Sequence, residues 1–314
     1  MTLNEWARIT ALRWGAVPMG LAGAILLTSC ASHESSPDVA SEVKAPVLLK
    51  SVDLRLPLET YLFSESEQLR MDEARAALNT TCMRRFGLSY DPGSPGPPLG
   101  PRSLMDRRYG VTDEAEARSF GYHLGDRDPR THPSPTPKPL TATQSKVLLG
   151  TSPDGSGSAD NGNAPLLNGL RIPAEGCMGE SMKKLADGGR IGPTDQVRNA
   201  NAQSFKTTMA DARVVKVFEA WSQCMKKQGY AYPDPFAAMS DPRFQGTKAV
   251  PDERKVAVAD VACKKKTNLI GTWFTVETSE QKKLIAENRS AFASASKGKK
   301  EQLAKAAEAL KSAR

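Results

Sequence analysis

Cysteine is the residue type through which this chain can do covalent chemistry, and it is used five times, at positions 30, 82, 177, 224 and 263. Cys30 closes a stretch that reads as an export leader. Arg8 and Arg13 lead into 13 apolar or small residues, Gly15 to Leu27, and the run ends in Leu27-Thr28-Ser29-Cys30. That run is too short to span a bilayer comfortably and has the order of a secretory signal. Export puts the other four cysteines in an oxidising compartment, where an even number favours disulfides. Their gaps are far too long for a metal-binding signature, and no metal site is expected. Of the three connectivities, Cys82–Cys177 with Cys224–Cys263 is favoured, because each bridge then closes within one half of the chain. Loops of 95 and 39 residues would each stabilise the fold by roughly 4 to 5 kcal/mol on the chain-entropy model.

No catalytic residue and no cofactor are expected from the remaining side chains. His33 and His132 lie in polar and proline-rich stretches that hold no fixed geometry. His123 sits between Tyr122 and Leu124 with no nucleophile motif beside it, and reads as a surface or capping histidine. A phosphate-cradling glycine loop, a dinucleotide fingerprint and H-E-x-x-H are all absent. Asp154 to Asn163 fails as a calcium loop, since the twelfth position falls on Pro165 or Arg171. Carboxylates are plentiful, and a hydrolytic pair would depend on a spatial separation that sequence does not give. Trp221, Trp273 and Phe274 form a candidate aromatic binding platform, although aromatics on amphipathic helices ordinarily belong to the core.

Leu27-Thr28-Ser29-Cys30 resembles the lipobox of bacterial lipoproteins. The resemblance implies that signal peptidase reads Leu27, Thr28 and Ser29, that residues 1–29 are removed, and that Cys30 carries two acyl chains. Two chains give stable anchoring where one gives only marginal binding. The protein would then sit on the outer face of the cell membrane, with residues 30–46 as a polar tether. Loss of the leader takes two cations and one anion from the formal +8, leaving +7. Such a charge draws a protein toward anionic head groups or wall polymers, in a compartment that offers no nucleic acid.

The elements that position these residues are mostly helical by pattern. Ser64 and Glu67 form a capping box, and Met71, Ala74, Leu78, Cys82 and Phe86 follow on one stripe up to Gly87. A short helix is expected between Thr112 and Phe120. Residues 126–170 read as a long Pro/Gly/Ser-rich loop, with Val147-Leu148-Leu149 as a short strand. Helices then follow at Cys177–Ala186, through Met209, Val214, Val217, Trp221 and Cys224 to Gly229, at Phe236–Met239, and from Pro251 to the lysines 264–266. A stripe through Ile270, Trp273, Phe274, Glu277, Gln281, Leu284 and Phe292 and an Ala/Lys/Glu-rich segment, Lys299 to Ala313, complete the pattern. The expected fold is mainly α, a disulfide-stapled helical domain with little or no β. Its parts are an N-terminal helical part at 47–125, the loop, a C-terminal helical part at 171–295 and a basic tail at 296–314. From Lys297 on, that tail holds six cations and two anions and reads as a solvated helix that frays.

One internal echo stands out. Cys82-Met83-Arg84-Arg85-Phe86-Gly87-Leu88-Ser89-Tyr90 aligns without gaps on Cys224-Met225-Lys226-Lys227-Gln228-Gly229-Tyr230-Ala231-Tyr232. Each unit describes a helix end: a cysteine on the buried face, cations at the terminal carbonyls, a glycine turning the chain. These units, the Trp221-x-x-Cys224 spacing, the Glu253, Asp260 and Cys263 helix and the lipobox together resemble uncharacterised actinomycete secreted lipoproteins. The resemblance implies export, lipid anchoring and a helical, disulfide-bonded body, and carries no activity with it. The expected function is that of a non-catalytic binding or adaptor protein of the cell envelope, its partner an envelope protein. An envelope hydrolase using carboxylates and a charge-driven tether to anionic wall polymer or membrane are the alternatives.

Overall fold

Most helices begin where a short polar side chain takes the backbone N–H groups that the first turn leaves free. The structure, a computed structural model, describes residues 45–93, 98–132, 138–150 and 165–313. Helix α1 (Glu65–Arg85) opens on the expected capping box: the Glu67 N–H donates to Ser64 Oγ at 3.2 Å, and the Ser64 N–H donates to Glu67 Oε2 at 2.8 Å. Asp113 caps α2 (Glu114–Phe120), and Thr141 with Gln144 caps α3 (Ala142–Leu149). After α4 (Gly176–Ala186), Thr194, Asp211 and Asp234 cap α5 (Asp195–Met209), α6 (Ala212–Lys227) and α7 (Pro235–Met239). Helix α8 (Pro251–Thr267) opens on proline, and α9 (Leu269–Glu287) and α10 (Arg289–Ser312) follow. Among the described residues the only strands are β1 (Leu166–Leu167) and β2 (Leu170–Arg171), an antiparallel pair. The fold is mainly α, as the pattern predicts.

Four expectations are corrected. Val147-Leu148-Leu149 is the last turn of α3 rather than a strand, because the Thr141–Gln144 capping box starts a helix upstream of it. The helix expected through Met209 to Gly229 is two helices, since Asp211 ends one and caps the next. Phe292 belongs to α10 and not to the stripe of α9. The basic tail does not fray: it is the second half of α10, with Ala306 buried and Leu303 and Leu310 packed on Met71, Ala74 and Leu185.

The helices assemble as two triplets. Cys82 on α1 is bonded to Cys177 on α4, with Cα atoms 5.6 Å apart, and α10 packs on both helices. Cys224 on α6 is bonded to Cys263 on α8, with Cα atoms 5.7 Å apart, and α9 packs on both. Both favoured pairings are therefore present. The echoed sequences build the same helix end: the Leu88 N–H reaches Met83 O and the Tyr230 N–H reaches Met225 O, each around a left-handed glycine, Gly87 or Gly229. Helix α5 packs against α9, α10 and α6, and α2 lies on α8, so early and late parts of the chain interlock within one unit, Val43–Arg314. Asn268, left-handed between α8 and α9, pins the start of the body by accepting the Leu48 N–H at 3.2 Å and donating to Pro46 O at 3.1 Å.

At the centre Trp273 is fully buried, stacked on Tyr109 at 4.5 Å and on Phe205 at 5.3 Å, with Phe218 and Phe236 edge-on. One turn along α9, the buried Glu277 carboxylate is met by Arg108 Nε at 3.0 Å, Tyr109 Oη at 2.9 Å and the Ser204 hydroxyl at 3.1 Å. Gln281 links Ser204 to the 3-10 turn Pro57–Tyr61, donating to Ser204 Oγ and accepting the Leu58 N–H, both at 3.0 Å.

Replacing either cysteine pair by alanine should lower stability by roughly 2 to 5 kcal/mol. Urea unfolding of each double variant beside the oxidised parent measures it, and an unchanged midpoint for either pair would show that bridge to be dispensable.

Candidate functional site

A groove of about 1730 Å³ runs along the outer side of α1. One wall is the first half of α1 with the 3-10 turn before it. The other is made by residues 90–93 and 98–104, rich in proline, with Met178 of α4 and Lys299 of α10 also lining the groove. Its apolar floor is made by half-buried Leu62, Phe63, Leu99 and Leu104, with Leu69 standing 45% exposed in the middle. Leu69 lies off the buried α1 stripe and has no core to enter.

Charged groups rim this floor, and most are paired. Lys299 Nζ bonds Glu67 at 2.9 Å and the Leu62 carbonyl at 2.6 Å, Arg75 bonds Asp72 at 3.1 Å, and Arg127 bonds Glu65. Burial opposes ionisation of Glu67, but the Ser64 N–H and Lys299 hold it below the ordinary carboxylate value. Glu59 goes the other way. Desolvation pushes its carboxyl up, although its Oε1 accepts the Leu56 N–H at 3.0 Å and Arg55 stands 3.8 Å away. A half-buried Glu59 therefore contributes a protonatable group to the groove. Asn79, two turns beyond Asp72 and buried, leaves its Oδ1 without a hydrogen-bond partner among the lining atoms.

Other residues singled out by sequence fall elsewhere. Trp221 and Trp273 are fully buried, with their indole N–H groups bonded to Asp260 Oδ1 at 2.9 Å and Thr208 Oγ1 at 3.0 Å. Neither ring offers a face to a ligand, and half-buried Phe274 packs on the same core, so the aromatic platform is a core instead. Leu27, Thr28, Ser29, Cys30 and His33 lie outside the described residues. His132 is held after all, its Nδ1 lying 3.2 Å from Asp128 O.

His123 is buried rather than on the surface, enclosed by Asp128, Arg130 and Glu253. Its Nδ1 lies 2.7 Å from Arg130 and 3.2 Å from Asp128 Oδ2, and its Nε2 lies 3.4 Å from Glu253 Oε1. Arg130 also grips Asp128 with two bonds, at 3.0 and 2.7 Å. The cluster locks the loop after α2 onto α8.

Sequence reasoning missed the groove because its walls come from α1 and from proline-rich residues whose path no periodicity gives. The one signal was Leu69, an apolar residue on the wrong face of an amphipathic helix. Comparison with known proteins adds nothing to this: no family model, no curated protein and no solved structure matches the chain.

The Arg130 guanidinium beside Asp128 holds its carboxyl well below the usual range. Its contribution is therefore complete above the unfolded carboxylate value of about 4 and is lost as pH falls through the lower folded value. Asp128→Asn should cost about 2 kcal/mol at pH 7, and the gap to the parent should close as the solution is acidified below that unfolded value. Urea unfolding at neutral and at acid pH reads it; a gap that widens in acid would contradict the assignment.

Proposed function

We propose that this chain is a lipid-anchored protein of the extracytoplasmic envelope that binds a partner rather than transforming one, and that the groove beside α1 receives an extended segment of that partner. The leader and Cys30 support the location. The observation that carries the binding reading is the groove itself: an apolar floor with an exposed Leu69, under a rim whose charges are already neutralised by neighbours. Such a surface gains from apolar contact and gives up little electrostatic energy when water leaves.

A second reading rests on Glu59. A desolvated carboxyl in a cleft is what a general acid needs, so an envelope hydrolase remains the alternative. The charge-driven tether draws less support, because Lys299 and Lys305 of its basic segment are engaged within the body, by Glu67 and by Asp187.

The full chain, expressed with its leader and solubilised in detergent, should capture a discrete envelope protein through a salt series. Leu69→Glu, which adds a charge to the floor without touching the core, should abolish that capture, while Glu59→Gln should leave it intact. Retention of anionic lipid or polymer alone, lost as salt rises, would overturn the groove reading in favour of the charge. Turnover of wall glycan by the parent and not by Glu59→Gln would overturn it in favour of the hydrolase.

A further inference from the structure

A buried pair on α8 is arranged for a covalent step that neither the fold nor the groove requires. Asp260 and Lys264 stand one helical turn apart, both essentially inaccessible to solvent, with Lys264 Nζ 2.9 Å from Asp260 Oδ2. The other carboxyl oxygen, Oδ1, accepts the Trp221 indole N–H at 2.9 Å. The amine is aimed as well as close: it donates to the Val111 carbonyl at 3.0 Å, and Gly110 makes the room. A Cβ on Gly110, which is left-handed at φ +75°, would come within 2.8 Å of Nζ. Tyr122 completes the surroundings, its buried hydroxyl near Asp260 but short of hydrogen-bonding geometry and without another partner.

We propose that Asp260 and Lys264 condense in the folded protein to a side-chain amide, an internal cross-link across one turn of α8 beside the Cys224–Cys263 bridge. The Nζ lone pair attacks Asp260 Cγ, and the oxyanion forms on Oδ1, where the Trp221 N–H already points. The proton lost by nitrogen passes to Oδ2, the Cγ–Oδ2 bond breaks, and that oxygen leaves as water. A carboxylic acid and an amine become an amide and one water, with no oxidant or activating group required. Two side chains held in contact replace a bimolecular encounter by an intramolecular one.

The dry surroundings favour the step in two ways. Burial pushes the Asp260 carboxyl up and the Lys264 amine down, toward the neutral acid and free amine that react, although each partner's charge pulls the other back. Two neighbours act alongside this: Arg107 works against a charged Lys264, while the Trp221 indole N–H works the other way by steadying a charged Asp260. The product also removes two ions from a core where their desolvation is costly.

Peptide mapping of the full chain, reduced and alkylated after isolation in its folded state, tests the inference. The cross-link predicts that the α8 peptide is lighter by one water, resists trypsin after Lys264, and survives hydroxylamine. Lys264→Arg, which keeps a cation at the site, should restore the full mass. An α8 peptide of full mass, cut normally after Lys264, would overturn the inference even if the variant does not fold. So would a water loss on a peptide still cut at Lys264, which is an aspartyl imide instead.

Discussion

A carboxylate at the centre of a helical protein must be satisfied from every side, and Glu277 sets that constraint here. Its oxygens are met by Arg108 and Tyr109 from the loop before α2 and by Ser204 from α5, while Gln281 extends the network to the turn before α1. Removing one donor would leave a buried charge under-coordinated, at a cost of about 3 to 5 kcal/mol when an ion pair is broken. Four stretches separated by long distances in sequence therefore meet at one carboxylate. Desolvation and the Glu277 charge together push the Tyr109 hydroxyl well up, so it stays a donor at any physiological pH. Arg108 in turn lies over Phe205 at 5.0 Å, which ties the polar network to the aromatic stack around Trp273.

The disulfides act at a different level. Each joins two helices of one triplet close to a helix end, and neither reaches the Glu277 network. They shorten the unfolded chain's search within each half, whereas Glu277 and α5 bring the halves together. That division explains why the same nine-residue unit can serve twice. A cysteine facing a neighbouring helix, two cations over free carbonyls and a left-handed glycine make a self-sufficient end to a helix, whatever packs upstream.

What could be read from the chain follows from how local each signal is. The Ser64–Glu67 box, the α1 stripe and the Glu277–Gln281 spacing on α9 are written within a few residues of one another, and the pairing of the four cysteines follows from keeping each bridge within one half of the chain. The split at Asp211 was legible too, since aspartate is as good a helix cap as it is a helix residue, but an unbroken apolar stripe on either side hides it. Val147-Leu148-Leu149 misleads for the opposite reason: three consecutive apolar residues have no period of their own, and the capping box three residues upstream decides the outcome. The groove belongs to a third class. Its walls are non-local, its proline-rich side carries no periodicity, and only Leu69 betrays it.

Trp221 and Leu69 show why residue type is a poor guide to exposure in this chain. Trp221 is large, aromatic and attractive as a binding surface, yet the triplet geometry turns its helix face inward and Asp260 satisfies its one polar atom. Leu69 is an ordinary aliphatic residue, and it is exposed because the stripe that buries Met71 and Ala74 against α10 and α4 leaves the opposite face of α1 with no helix to cover it among the described residues. Charged residues flanking it could have made that face solvent-like. They pair among themselves and with α10 instead, so the face remains apolar along its floor and nearly neutral at its rim. Function in this protein is thus sought where a helix has a second face and the fold supplies nothing to put on it.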